Sequence, residues 1–379
     1  SMFQNTYAFN HGLSAWNVGK VTTMQSMFRY AYAFNDDLSS WVTSSVTDMS
    51  QMFDQASVFD QDISAWDVSS VTTMRQMFKQ ARDFNRDLGS WDVGSVIDMY
   101  EMFADGNAWD ISYGYDWDDD YGEQFGFDGD VSSWDVSKVT DFGGMFYKSD
   151  SFNGDISSWD VSSGTNFFAM FAQADSFNQD IGQWQMSSVG VCNDWYSYGN
   201  GENGGYCMSG GSSLASIFQG ADAFDKDITG WTLGGTQGSF DDMFKDATAW
   251  NAKYSNCGYD TSFDPGTCTG TYDVSTDLNA GPPGAWQRID CDASTPPNNG
   301  AVGDCTDVLE RGAECAPTCG LGFTVSRKSS CDANGILTSA TCISRCAVST
   351  FPSNGEVGNC PQYLDSGETC QPTCDAGHA

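Results

Sequence analysis

Basic residues are scarce in this sequence. Only 16 Lys and Arg stand against 51 Asp and Glu in 379 residues, for a formal net charge of −35. A surface this acidic repels phosphate backbones and anionic headgroups, which argues against nucleic-acid binding and polybasic attachment to lipid. No apolar run approaches the roughly 20 residues a membrane helix needs, so no segment reads as a membrane span. The two histidines, His11 and His378, are too far apart in sequence to suggest a catalytic pair. A G-x-S-x-G nucleophile elbow and a G-x4-G-K-(S/T) phosphate cradle are both missing. The chain is therefore not read as an enzyme. The N-x-(S/T) sequon is also absent, leaving O-linked sugar, for instance at Thr295, as the open route to glycosylation.

Cysteine is absent from the first half. None precedes Cys192, and ten lie between Cys291 and Cys374. Such density signals a disulfide framework and hence an oxidising, extracellular setting. Zinc is the competing reading, but zinc clusters favour C-x2-C knuckles and this tract has none. What the chain has instead is apolar and aromatic side chain. Hydrophobic residues make up 40% and aromatics 14%, too rich for a disordered acidic tail. Length alone predicts about two or three domains.

A repeat dominates residues 1–250. Tryptophans recur at Trp16, Trp41, Trp66 and Trp91, then Trp134, Trp159 and Trp184, then Trp231. The step is 25 residues, broken by insertions at about 108–125 and 191–212. Met-Phe pairs such as Met52-Phe53 and Met77-Phe78 keep the same beat. Met74, Met77, Phe78 and Ala81 fall at i, i+3, i+4 and i+7, which predicts one face of an α-helix. Thr72 and Thr73 then suit its N-cap region. Ile63, Trp66 and Val68 predict a short extended segment, with Trp66 and Val68 on one side of the pleat. A unit this small cannot bury its own apolar face, so units are expected to stack as coils of a solenoid.

Polar columns repeat as well. Asn or Asp recurs at Asn10, Asn35, Asp60, Asn85, Asp128, Asn153, Asn178 and Asp225; two residues on stand Asp37, Asp62, Asp87, Asp130, Asp155, Asp180 and Asp227. Stacked carboxylates repel unless each is satisfied. Either each side chain accepts backbone N–H bonds in its own turn, or the columns form a row of calcium sites. A separate calcium candidate is the first insertion, where Asp116, Asp118, Asp119, Asp120 and Glu123 could wrap a hard cation. Its register is not that of an EF-hand, and a solvated acidic loop is the alternative.

The run Phe59-Asp60-Gln61-Asp62-Ile63-Ser64-Ala65-Trp66-Asp67-Val68-Ser69-Ser70-Val71-Thr72-Thr73-Met74 resembles the BspA-like leucine-rich-repeat surface proteins. Their unit reads F-N-x-D-(L/I)-S-x-W-D-V-S-x-V-T-x-M-x-x-M-F-x-x-A. Phe142, Phe167, Leu214 and Phe240 depart from its first Met. The resemblance implies an α/β repeat fold, a leucine-rich-repeat-like solenoid with short strands and one helix per coil. It also implies a cell-surface or secreted protein, with attachment as the commonest role and no catalytic residues.

Beyond residue 250, residues 251–287 read as a closing segment. Cys257 and Cys268 are expected to pair there, as Cys192 and Cys207 are in the second insertion. Two small disulfide-rich β modules are expected at 288–345 and 346–379. Cys291, Cys305, Cys315 and Cys319 recur 55 residues later as Cys346, Cys360, Cys370 and Cys374, and the first module adds Cys331 and Cys342. These modules look like sushi-type domains, from which six cysteines in place of four depart. The second reads as incomplete, and both chain ends read as cut from a longer polypeptide. The first coil, starting at Met2 and Phe3, has no polar cap before it, so head-to-tail self-association is expected. Two functions remain open: a structural or adhesive extracellular protein, including one that serves as a filament subunit, and a monomeric module recognising a glycan or a protein.

Overall fold

The computed structural model describes residues 1–108, 110–113, 126–189, 195–197, 205–207, 214–234, 240–256, 283–288, 290–307, 309–310, 312–321, 323–332, 336–344, 346–347, 355–356, 363–364 and 373–374. They fall into two compact units, Ser1–Gln287 and Arg288–Ala379.

In the first unit the backbone bonds of each repeat run to its neighbours. The N–H groups of Met74, Gln76, Phe78 and Gln80 donate to the carbonyls of Asp98, Tyr100, Met102 and Ala104 at 2.8–3.0 Å. Thr72 and Asp83 donate the other way, to Thr47 and Ser57, at 2.9 Å. Every second N–H is thus committed to the next repeat, and those of Met77, Lys79 and Ala81 between them close i→i−3 turns, so no α-helical i→i−4 bond forms. The expected helix over Met74–Ala81 is accordingly replaced by two tight turns. Met77 N–H bonds to Met74 C=O and Ala81 N–H to Phe78 C=O, both at 3.0 Å. The third residue of each turn is left-handed, Gln76 at φ 56° and Gln80 at φ 53°, as a type II turn requires. Successive i→i+3 turns place 74, 77, 78 and 81 on one side just as a helix would, so the inward set is the one the spacing picks out. Among the described residues the α-helices are α1, Asp110–Tyr113, and α2, Thr248–Lys253.

The expected extended segment at Trp66–Val68 is also made of turns, with Trp66 N–H on Ile63 C=O and Val71 N–H on Val68 C=O. Among the described residues, parallel pairing between repeats is confined to single bridges, Thr23 to Asp48 to Thr73 to Asp98 to Asp141 to Asn166, and Met186 to Leu233.

Stacked rings fill the interior. Phe28, Phe53, Phe78, Phe103, Phe146, Phe171, Phe218 and Phe244 form one column with centroids 5.6–5.8 Å apart. A second column runs from Phe34 to Phe224 at 5.9–6.3 Å. All of these rings are fully buried, and aromatic pairs in such offset stacks add to the area they bury. The tryptophans form a third column whose indole N–H groups are not orphaned. Trp41, Trp66, Trp91, Trp134, Trp159, Trp184 and Trp231 each donate Nε1–H to a Leu, Ile or Val carbonyl of the preceding repeat at 2.9–3.1 Å. Stacking ends at Trp250 and Tyr254, 3.9 Å apart, with Trp286 turned edge-on to Phe244 at 4.8 Å and 68°.

The second unit consists of two- and three-residue strands around disulfides. Cys291–Cys331, Cys305–Cys315 and Cys319–Cys342 are bonded. Its buried cluster is mostly those sulfurs with Ala293 and Leu309, as expected where so few residues must form a core. Pairing recurs with the cysteine spacing. Gly300 faces Cys319 and Ala301 faces Thr318; Gly355 faces Cys374 and Glu356 faces Thr373. Likewise Cys291 faces Leu309, and Cys346 faces Leu364.

Candidate functional site

The repeated polar columns take up distinct tasks. In the second column Oδ1 of Asp37, Asp62, Asp87, Asp130, Asp155, Asp180 and Asp227 accepts the backbone N–H two residues on, at 2.8–3.1 Å. Ser64 and Ser157 add a hydroxyl at 2.7 Å. These bonds favour the ionised form. The Ser64 hydroxyl and N–H hold Asp62 below its ordinary value, and Ser157 does the same for Asp155. The first column differs from the expectation of turn-local bonding. Its Oδ1 atoms accept N–H from the next repeat: Asn35 from Asp60, Asp60 from Asn85, Asn153 from Asn178, in a ladder at 2.9–3.2 Å that runs from Asn10 to Asp225. One column closes turns and the other joins repeats.

The acidic set Asp116, Asp118, Asp119, Asp120 and Glu123 lies outside the described residues, as do Cys192, Cys257, Cys268 and His378. His11 is exposed, edge-on to Phe9 at 5.6 Å. Among the described residues, one group has metal-binding spacing, Asp304 with Cys305 and Cys315. Those two sulfurs are bonded to each other, which removes the thiolates a metal would need.

Among the described residues, the densest charge chemistry sits in columns that do not keep one residue type from repeat to repeat. The residue after the column Phe is Arg29, Asp54 and Lys79 in three successive repeats, then Ala104. Arg29 Nε donates to Asp54 Oδ2 at 2.7 Å, and the Asp54 side chain is 2% exposed. Lys79 Nζ donates to Glu101 Oε2 at 2.6 Å, with side chains 11% and 0% exposed. Glu101 Oε2 also accepts from Gln76 Nε2 at 2.6 Å, and its Oε1 from the Ala108 N–H at 2.8 Å. Gln76 is itself bonded back to Gln51 at 2.7 Å. Burial pushes the Asp54 carboxyl up to about 6, against the opposing pull of Arg29 and Lys79. Asp54 Oδ1 is buried with no hydrogen-bond partner.

Further cations cluster on the Lys79 repeat. Arg82 pairs with Asp105 at 3.2 Å and Arg86 with Asp60 at 2.6 Å. Arg75 lies 3.6 Å from both Asp98 and Asp141, over the Tyr100 ring at 3.9 Å. The sequence clue, four basic residues within 75–86 of an otherwise acidic chain, is visible only once the columns are aligned. On the surface, Tyr7 and Tyr32 stack at 5.3 Å and are 58% and 42% exposed.

No helix of the described residues is long and apolar enough to cross a membrane. Comparison with curated proteins and with solved structures gives no match. The repeats themselves match one family model in three tandem stretches, residues 1–115, 106–206 and 200–263, which together span well over half of the chain. The chain therefore belongs to the DUF285 family, described as a Mycoplasma protein of unknown function.

Proposed function

We propose that this is a non-enzymatic structural or adhesive protein of an extracellular or cell-surface setting, built as a leucine-rich-repeat-like solenoid and able to form filaments. The observation that carries the reading is the commitment of repeated polar side chains to architecture. The Asn/Asp ladder and the Trp indoles are consumed in joining one repeat to the next. Solenoids of this kind spend their residues on stacking and offer an extended surface to partners. Three disulfides in the second unit suit an oxidising compartment. Head-to-tail contact would extend the same N–H to C=O pattern from one chain to the next, and a contact that does not close gives filaments. Screening salt or divalent cation should favour it by relieving the −35 charge.

Light scattering and electron microscopy of the purified chain, with and without calcium, test this. Filaments lengthening with calcium or salt are expected. Dispersed monomers under every condition would remove the filament reading. The stacked, exposed Tyr7 and Tyr32 favour the second reading, a monomeric recognition module that binds glycan through ring faces.

A further inference from the structure

The Lys79 neighbourhood contains more than an ion pair. Nζ lies 2.6 Å from Oε2 of a fully buried glutamate, so amine nitrogen and carboxyl carbon are held within reach of each other. The two oxygens of Glu101 are held differently. Oε1 accepts one backbone N–H, from Ala108 at 2.8 Å, a fixed dipole aimed where negative charge would collect on attack. Oε2, the oxygen facing the amine, takes the Gln76 amide.

We propose that Lys79 and Glu101 condense to an intramolecular amide, so that two adjacent repeats become covalently stapled. The atoms balance within the pair. A proton moves from the ammonium to Oε2, giving amine and carboxylic acid. The Nζ lone pair attacks Cδ, forming the Nζ–Cδ bond and placing charge on Oε1 beside the Ala108 N–H. A second proton passes from Nζ directly to the departing Oε2, the oxygen that faces it at 2.6 Å. The Cδ–Oε2 bond breaks and Oε2 leaves as water. Nζ keeps one hydrogen, Oε1 becomes the amide oxygen, and no oxidant or cofactor is needed. Such a staple lies in the first unit, where none of the three bonded cystine pairs is found.

Mass spectrometry of the folded full-length chain, reduced and alkylated after purification, tests it. The expected mass is lower than that of the sequence by one water. Trypsin should fail to cut after Lys79 and should yield a branched peptide joining residues 76–82 to residues 87–138. The double substitution Lys79→Met with Glu101→Gln removes both charges while keeping volume, and should show its full sequence mass. An unmodified wild-type mass with a free peptide ending at Lys79 overturns the proposal and leaves an ion pair only. A water loss that persists in the double variant, or maps to other residues, overturns it equally.

Discussion

Truncating Phe78 to alanine probes the ring columns most directly. Its ring is fully buried and stacks on Phe53 and Phe103 at 5.6 Å, on Phe84 at 4.1 Å, and tilts against Trp91 at 6.4 Å. The neighbours on both sides are held in place by main-chain bonds, Phe53 N–H to Met77 C=O and Phe78 N–H to Met102 C=O. Repeats therefore cannot slide together to fill the hole, and the cavity term should be near its full value. Phe→Ala in such a core costs about 3–5 kcal/mol. Phe78→Leu keeps much of the volume and should cost less. Tryptophan fluorescence during urea unfolding is the assay, because all 13 tryptophans lie in the first unit and report on it alone. A reversible change of Phe78→Ala within about 0.5 kcal/mol of wild type, well below that cavity range, would refute the column.

Three further outcomes follow. Asp54 has its folded value raised to about 6 from 3.8, so its contribution is fully present below 3.8 and is lost as pH rises through 6. Asp54→Asn should flatten that part of the thermal-midpoint profile relative to wild type, and an unchanged profile would contradict it. Asp62 is lowered by the Ser64 hydroxyl and N–H, so its contribution is present above 3.8 and fades as pH falls. Asp62→Ala should lower the midpoint at pH 7 and lose part of the acid sensitivity, checked by the same melts from pH 7 to pH 2. If Asp116, Asp118, Asp119, Asp120 and Glu123 hold calcium, chelation at matched ionic strength should lower the midpoint and speed proteolysis near them. No change would return them to solvated carboxylates.

How much could be read in advance depended on whether a residue repeats. Met74, Met77, Phe78 and Ala81 were legible as an inward set because the spacing recurs in every unit. The helix assigned to them was not there, since consecutive tight turns give the same spacing. The left-handed residues that distinguish the two, Gln76 and Gln80, are not glycines and carried no signal. Asp62 and its column were legible as turn carboxylates. The cross-repeat role of Asn35 and Asp60 was not, because an Asx side chain looks the same whichever N–H it accepts. Lys79 and Glu101 stayed hidden because their columns change residue type from repeat to repeat, and their meeting depends on which repeats are adjacent.

Ring spacing barely registers the insertions. Phe103 to Phe146 spans the first at 5.8 Å, and Phe171 to Phe218 spans the second at 5.7 Å, against 5.6–5.8 Å between uninterrupted neighbours. Eighteen and twenty-two extra residues therefore enter and leave without altering the rise of the stack. The corner after the double turn and the stretch just before it each act as a port: chain can be lengthened there while the columns above and below keep their phase. For protein engineering, that makes the turn after Phe103 and the stretch after Val189 places where foreign loops can be carried at a fixed height on a rigid post.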